Sequence, residues 1–205
     1  MKRFTGHKEP WGQFVDVKIN APDLLRREIT RKIPARVWVS GVCDPYQPLE
    51  SKYKLTRQCL EILAENNWPV TIQTRSPLVL RDLDILSTAK DFEAGMSITT
   101  ADDAIRKLFE PSAPPIQARV NALGELHRAG MRTYVMIAPI LPNAEPLAEL
   151  LVDKVDYVMT DRMNYHHADW VYRKYGLEAQ NTDEYFSSVE HILSTTFAKY
   201  GIPYR

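Results

Sequence analysis

The 205-residue chain has only two cysteines, Cys43 and Cys59. Two cysteines with no partner spacing make no disulfide framework, so a reducing, cytoplasmic setting is expected. Charge of one sign is also missing. The 26 basic and 26 acidic side chains balance, which excludes a global electrostatic footprint for nucleic acid but not a local basic patch. No apolar run is long enough to span a membrane, and the N-terminus lacks the apolar core of a signal peptide, so no membrane partner is expected. There is no GxGxxG, Walker loop, GxSxG or HExxH. Their absence argues against a dinucleotide fold, nucleotide hydrolysis, serine hydrolysis and zinc-protease chemistry. Apolar residues at 44% and charged residues at 25% match an ordered globular chain. No repeat or low-complexity linker divides it, and residues 1–205 read as one domain.

What is present is alternation. A first apolar/polar segment, Phe14 to Ile19, predicts an accessory strand, and Pro22 opens a short helix over Asp23 to Lys32. Strands are predicted at Val37 to Ser40, Val70 to Thr74, Ala94 to Thr99, Thr133 to Ala138 and Val155 to Thr160. Between them, helices are predicted near Lys52 to Asn66, Ala101 to Phe109, Pro115 to Ala129 and Leu147 to Val152. Thr100 and Asp103 approximate a capping box, and Gly130 stands where a left-handed cap ends the helix before it. A last helix, Asp183 to Tyr200, carries Phe186, Val189, Leu193 and Phe197 on one stripe; with it, residues 177–205 read as a helical extension packed on the rest. Strands alternating with helices imply an α/β fold with parallel strands and βαβ crossovers.

In such a barrel, chemistry sits in loops after the strands. The block Ser40-Gly41-Val42-Cys43-Asp44-Pro45-Tyr46 follows the first core strand directly. Other strand-end pieces are Gln73-Thr74-Arg75-Ser76, Met96-Ser97-Ile98-Thr99 and Ile137-Ala138-Pro139-Ile140, with Phe109-Glu110-Pro111 and Arg119 between them. After the last strand come Arg162, Tyr165, His166, His167 and Trp170. Adjacent histidines seldom converge on one ion, so no metal site is expected there. The aromatics suit base stacking and Arg162 suits an anion; a structural hydrogen-bonding loop is the alternative.

Taken in order, these pieces resemble radical S-adenosylmethionine (SAM) proteins of the spore-photoproduct-lyase-like group, over about Phe14 to Tyr175. The resemblance implies a partial (β/α)6, TIM-like barrel of radical SAM type lacking its first, cluster-bearing strand and loop. The opening Met1 to His7 resembles the segment that follows the family's CxxxCxxC motif, which this chain does not contain. A 4Fe–4S cluster is therefore expected only in a longer form carrying that motif. SAM is the implied small-molecule ligand, nucleic acid the implied substrate class, and DNA repair the related activity.

Site residues follow from the same resemblance. The backbone of Ser40, Gly41 and Val42 would accept from the SAM amino group, and Arg75 would meet its carboxylate; the alternative is a surface Arg75 paired with Asp82 or Asp84. Ser97 would bond the ribose or methionine part, or else only its own strand end. Ala138 would offer backbone beside the adenine. Cys43 would be a hydrogen-atom donor, although the family's cysteine aligns at Gly41; an inert thiol is the other reading. Tyr46, Arg162, Tyr165 and His166 would contact substrate, with Tyr46 otherwise closing its turn and Glu50 capping the following helix. Cys59 is expected in the core. Two other readings are a non-catalytic SAM or nucleotide-binding module and a metal hydrolase using Asp44, His166 and His167. An unpaired edge at Val37 to Ser40 predicts self-association unless Phe14 to Ile19 covers it.

Overall fold

The computed structural model describes residues 6–10, 12–39, 43–164 and 166–205. Five parallel strands form one sheet in sequential order: β1 (Val37–Val39), β2 (Val70–Thr74), β3 (Phe92–Ser97), β4 (Arg132–Ile137) and β5 (Tyr157–Thr160). Sequential order with every pair parallel is what a βα unit repeated in one direction produces. The helices are α1 (Ala21–Ile29), α2 (Glu50–Tyr53), α3 (Leu55–Glu65), α4 (Leu83–Leu86), α5 (Asp103–Phe109), α6 (Ile116–Arg128), α7 (Leu147–Leu151), α8 (Asp169–Tyr175) and α9 (Asp183–Lys199). The result is an α/β partial barrel. Among the described residues, no helix is long and apolar enough to cross a membrane.

Strand register divides the sheet into two unlike faces. Val70, Ile72, Phe92, Ala94, Met96, Val135, Ile137 and Val158 point into one apolar core shared with the helices, and α6 packs on β3 and β4. Side chains alternate along a strand, so the opposite, inner face carries Trp38, Thr71, Gln73, Glu93, Gly95, Ser97, Tyr134, Met136, Tyr157 and Met159. The apolar stripe of α9, namely Phe186, Val189, Leu193 and Phe197, joins the core on the outer side.

Three expectations need correction. Residues 14–18 form no strand, and Val15 and Ile19 are exposed. The helix expected from Lys52 to Asn66 is two, α2 and α3, broken where Lys54 takes a left-handed φ of 51°. Glu50 bridges the break, its carboxylate accepting from the Thr56 and Arg57 amides, so it does cap the helix beyond. Third, α5 is capped by Asp102, which accepts from the Ala104 amide, while Thr100 supports the turn by accepting from the Asp102 amide. Gly130 adopts φ +80° just after α6, as a left-handed stop requires.

The two sheet edges are treated differently. At β5, residues 203–205 run alongside: Val158 donates to the Pro203 carbonyl, and Arg205 donates to that of Val158. Thr160 adds an amide bond to the Arg205 carbonyl and a hydroxyl bond with Tyr204. Nothing in the sequence pattern announced this three-residue cover. At β1, no described strand lies outside Val37–Val39, and Trp38 remains exposed.

Candidate functional site: the inner face and C-terminal rim of the sheet

The inner face is closed in the middle by aromatic rings. Tyr134, fully buried, lies across β3 at Gly95, where any Cβ would overlap its ring. Its hydroxyl donates to the Ile72 carbonyl at 3.2 Å, and its ring stacks on Tyr157 at 5.0 Å between centroids. Below this layer Glu93 accepts from Thr71 at 2.6 Å and pairs with Arg36 and Arg132. Burial, with the nearby Glu93 carboxylate, pushes the Tyr157 phenol up to about 12. Toward the C-terminal ends the face is polar. The Gln73 amide donates to Ser97 Oγ at 3.0 Å and lies against Met136 Sδ.

The rim above is tied by Asp44. Its carboxylate accepts from the Tyr46 amide, the Thr74 hydroxyl (2.6 Å) and the Arg75 amide (2.7 Å), joining the loop after β1 to the end of β2. Arg75 directs Nε to Glu110 Oε1 at 2.9 Å. Glu110 Oε2 in turn lies 2.8 Å from Nη2 of Arg119, whose side chain is 0% exposed. Arg119 also donates through Nη1 to the Ser97 carbonyl at 3.0 Å and through Nε to the Pro114 carbonyl. Arg75 lines a cavity of about 490 Å³ together with Asp44, Tyr46, Leu78, Ser112 and Pro114.

Several anticipated residues are placed as follows. Arg75 does not pair with Asp82 or Asp84; those carboxylates belong to Arg57 and Arg81, because the chain after β2 turns Arg75 toward Glu110 instead. Tyr46 is 1% exposed and donates its hydroxyl to Asp82, so its ring is mostly core, with part of it reaching the cavity. Cys43 is exposed, and Cys59 is half-buried rather than enclosed. Burial pushes the Cys59 thiol up. Arg162 pairs with Asp183, and His166 with Asp169 while its side chain stays 96% exposed. Ala138 follows β4, joined to Pro139 by a cis bond. Ser40, Gly41, Val42 and Tyr165 lie outside the described residues. Asp44 directs its carboxylate to three hydrogen bonds within the rim, and among the described residues no three His, Cys, Asp or Glu side chains converge on a metal position.

Sequence reasoning missed Gln73 as an inner-face contact, the Tyr134–Gly95 interlock and the Glu110 bridge. A signal for the first existed: Gln73 and Ser97 each stand on the polar phase of an alternating strand.

A parallel α/β partial barrel with a polar inner face opening at its C-terminal strand ends is a ligand-binding barrel architecture. Residues 10–152 match the Radical SAM superfamily, and the chain belongs to it. It is 30% identical over 198 residues to an uncharacterized protein of Methanocaldococcus jannaschii, covering 93% of this chain and 71% of that one. It is 25% identical over 130 residues to a radical SAM Nα-GlyT isomerase of Pseudomonas phage M6, covering 63% and 27%. Among solved structures it resembles a spore photoproduct lyase variant with bound AdoMet and dinucleoside spore photoproduct, at TM-score 0.63 and 14% identity, over 93% of this chain and 66% of that one. The chain spans 49% and 42% of two other curated relatives.

Membership implies two groups, SAM and an iron–sulfur cluster. The donor types suit the first: Arg75 stands on the rim cavity, and Ser97 and the Gln73 carboxamide stand together on the inner face. It does not suit the second. Cluster ligation takes more thiolates than this chain's two cysteines supply, and these two are an exposed rim residue and a half-buried residue on α3.

Proposed function

We propose that this chain is a SAM-binding radical SAM domain which, as the 205 residues stand, binds SAM without assembling the cluster and without cleaving it. The observation that carries the reading is the Arg75–Glu110–Arg119–Ser97 chain of contacts, which joins two anticipated SAM contacts through buried groups. In this reading Arg75 meets the carboxylate, Ser97 the ribose or methionine part, and the backbone of Ser40, Gly41, Val42 and Ala138 the remaining polar groups. Cys43, exposed in the rim loop, is the candidate hydrogen-atom donor in a longer, cluster-bearing form. Tyr46, Arg162, Tyr165 and His166 are the substrate-side residues. The proposed substrate class is nucleic acid, supported by the dinucleoside named for the lyase structure and by the exposed Trp170 and half-exposed Arg162, both in the segment after β5. The β1 edge, beside which no described strand lies, supports self-association in solution, which light scattering measures.

Calorimetry with SAM tests the binding half. Measurable binding that weakens in Arg75→Ala and Ser97→Ala supports it, whereas no binding, or unchanged binding in both variants, sinks it. Anaerobic reconstitution with iron and sulfide tests the other half. An iron–sulfur spectrum accompanied by SAM cleavage would overturn the cluster-free reading.

A further inference from the structure

Resting on the proposed contact between Arg75 and the SAM carboxylate, we infer that Glu110 and Arg119 are positioning residues that set the affinity for the aminocarboxylate end of the ligand. The geometry has three parts. First, Glu110 takes only the Nε edge of Arg75, at 2.9 Å. Among the described residues neither terminal nitrogen of Arg75 has a partner, and the residue lines the rim cavity. An arginine held by one edge offers its other donors, already oriented, to a carboxylate, which costs less ordering than recruiting a free side chain.

Second, Glu110 is itself held. Its side chain is 13% exposed and its second oxygen faces the fully buried Arg119 at 2.8 Å. Arg106, also buried, donates to the carbonyls of Glu110 and Ala113 and so pins the turn that presents the carboxylate. Third, two guanidiniums share the Glu110 carboxylate, and Arg75 is the only one of the three groups that is substantially exposed (41%). Asp44, on the same cavity, directs its carboxylate to the Tyr46 amide, the Thr74 hydroxyl and the Arg75 amide and makes no hydrogen bond to the Arg75 guanidinium. Arg119 meanwhile holds the Ser97 carbonyl at 3.0 Å. One buried side chain thus sets the distance between the anion-facing arginine and the strand-end serine. Burial lowers the Arg119 guanidinium pKa while the Glu110 charge opposes the shift, so each partner depends on the other.

The test compares two ligands that differ only at the proposed contact. S-adenosylhomocysteine carries the aminocarboxylate; 5′-methylthioadenosine keeps the nucleoside and thioether without it. Affinities are measured for the wild type, Arg75→Ala, Glu110→Gln and Glu110→Asp, the last keeping a charge for Arg119 but one methylene short of bridging to Arg75. The expected result is that the wild type prefers the homocysteine ligand, and that Arg75→Ala removes the preference. Both Glu110 variants should weaken that ligand by about tenfold, the range of a charged hydrogen bond, while shifting methylthioadenosine less than twofold. Glu110→Asp serves if Glu110→Gln fails to fold. Equal weakening of both ligands, or of neither, in the folded Glu110 variants would show a merely structural role and overturn the inference. A wild type that binds neither ligand overturns the SAM reading itself, and the assignment of Glu110 with it.

Discussion

Gly95→Ala is the sharpest single test of the inner face. The methyl group would enter the space of the Tyr134 ring, meeting three of its carbons well inside van der Waals contact. The ring has little room to yield. It is fully buried, bonded through its hydroxyl to the Ile72 carbonyl and stacked on Tyr157. Overpacking a filled core costs about 1–3 kcal/mol, and a clash with an anchored aromatic belongs at the upper end, about 3 kcal/mol. For a domain of this size that corresponds to a melting temperature lowered by roughly 6–12 °C. Thermal melts and urea titrations followed by circular dichroism measure both quantities. A second variant identifies the cause: Tyr134→Ala alone should cost about 3–5 kcal/mol, and adding Gly95→Ala to it should cost much less than 3 kcal/mol more. A Gly95→Ala protein within about 0.5 kcal/mol of wild type, the ordinary surface range, or full additivity in the double variant, would refute the interlock.

Asp82 is fully buried between Tyr46, Arg57 and Arg81. Asp82→Ala leaves Arg57 with Asp84 and Glu61 and Arg81 with Glu50, but removes the acceptor of the buried Tyr46 hydroxyl; it should destabilise by about 1–3 kcal/mol, as read by urea denaturation. Deleting residues 203–205 removes three backbone bonds to β5 and the Tyr204–Thr160 contact; the expected loss is about 2–4 kcal/mol, checked the same way. Arg57 holds the Asp84 carboxyl down to about 2 from 3.8. A carboxyl lowered in the folded state stabilises above its unfolded pKa and loses that contribution as pH falls from 3.8 toward about 2. An NMR titration should give a midpoint near 2 that returns toward 3.8 in Arg57→Ala. Tyr157 and Tyr172, both raised by burial to about 12, should ionise only at the alkaline end of an absorbance titration.

Most of the fold was legible because it rests on local patterns. Val70 to Thr74 is a β-branched run that became β2 with the same ends, and the apolar spacing of α6 and α9 marked their buried faces. Phe14 to Ile19 misled because alternation in a short window is compatible with a strand but does not supply the pairing that makes one, and residues 14–18 pair with no strand. Lys54 misled because no residue in that run advertises a break; the left-handed turn is held from Glu50, through bonds to the start of α3. Arg75 and Ser97 were marked as candidates by the family resemblance, but their partners in the fold were not. The alternative reading of Arg75 paired it with an aspartate seven or nine positions away, and its partner is Glu110, 35 positions on.

The sequence by itself determined that this is a parallel α/β chain of the radical SAM type, because period and strand-end motifs are properties of short windows. It also determined that these 205 residues hold two cysteines and no CxxxCxxC, since counting needs no coordinates. Tertiary structure alone decided which groups meet: Gly95 beneath Tyr134, residues 203–205 along β5, and Arg119 between Glu110 and Ser97. Each of these depends on strand register and helix packing across tens of residues. Shifting a strand by one position would send every inner-face side chain into the apolar core.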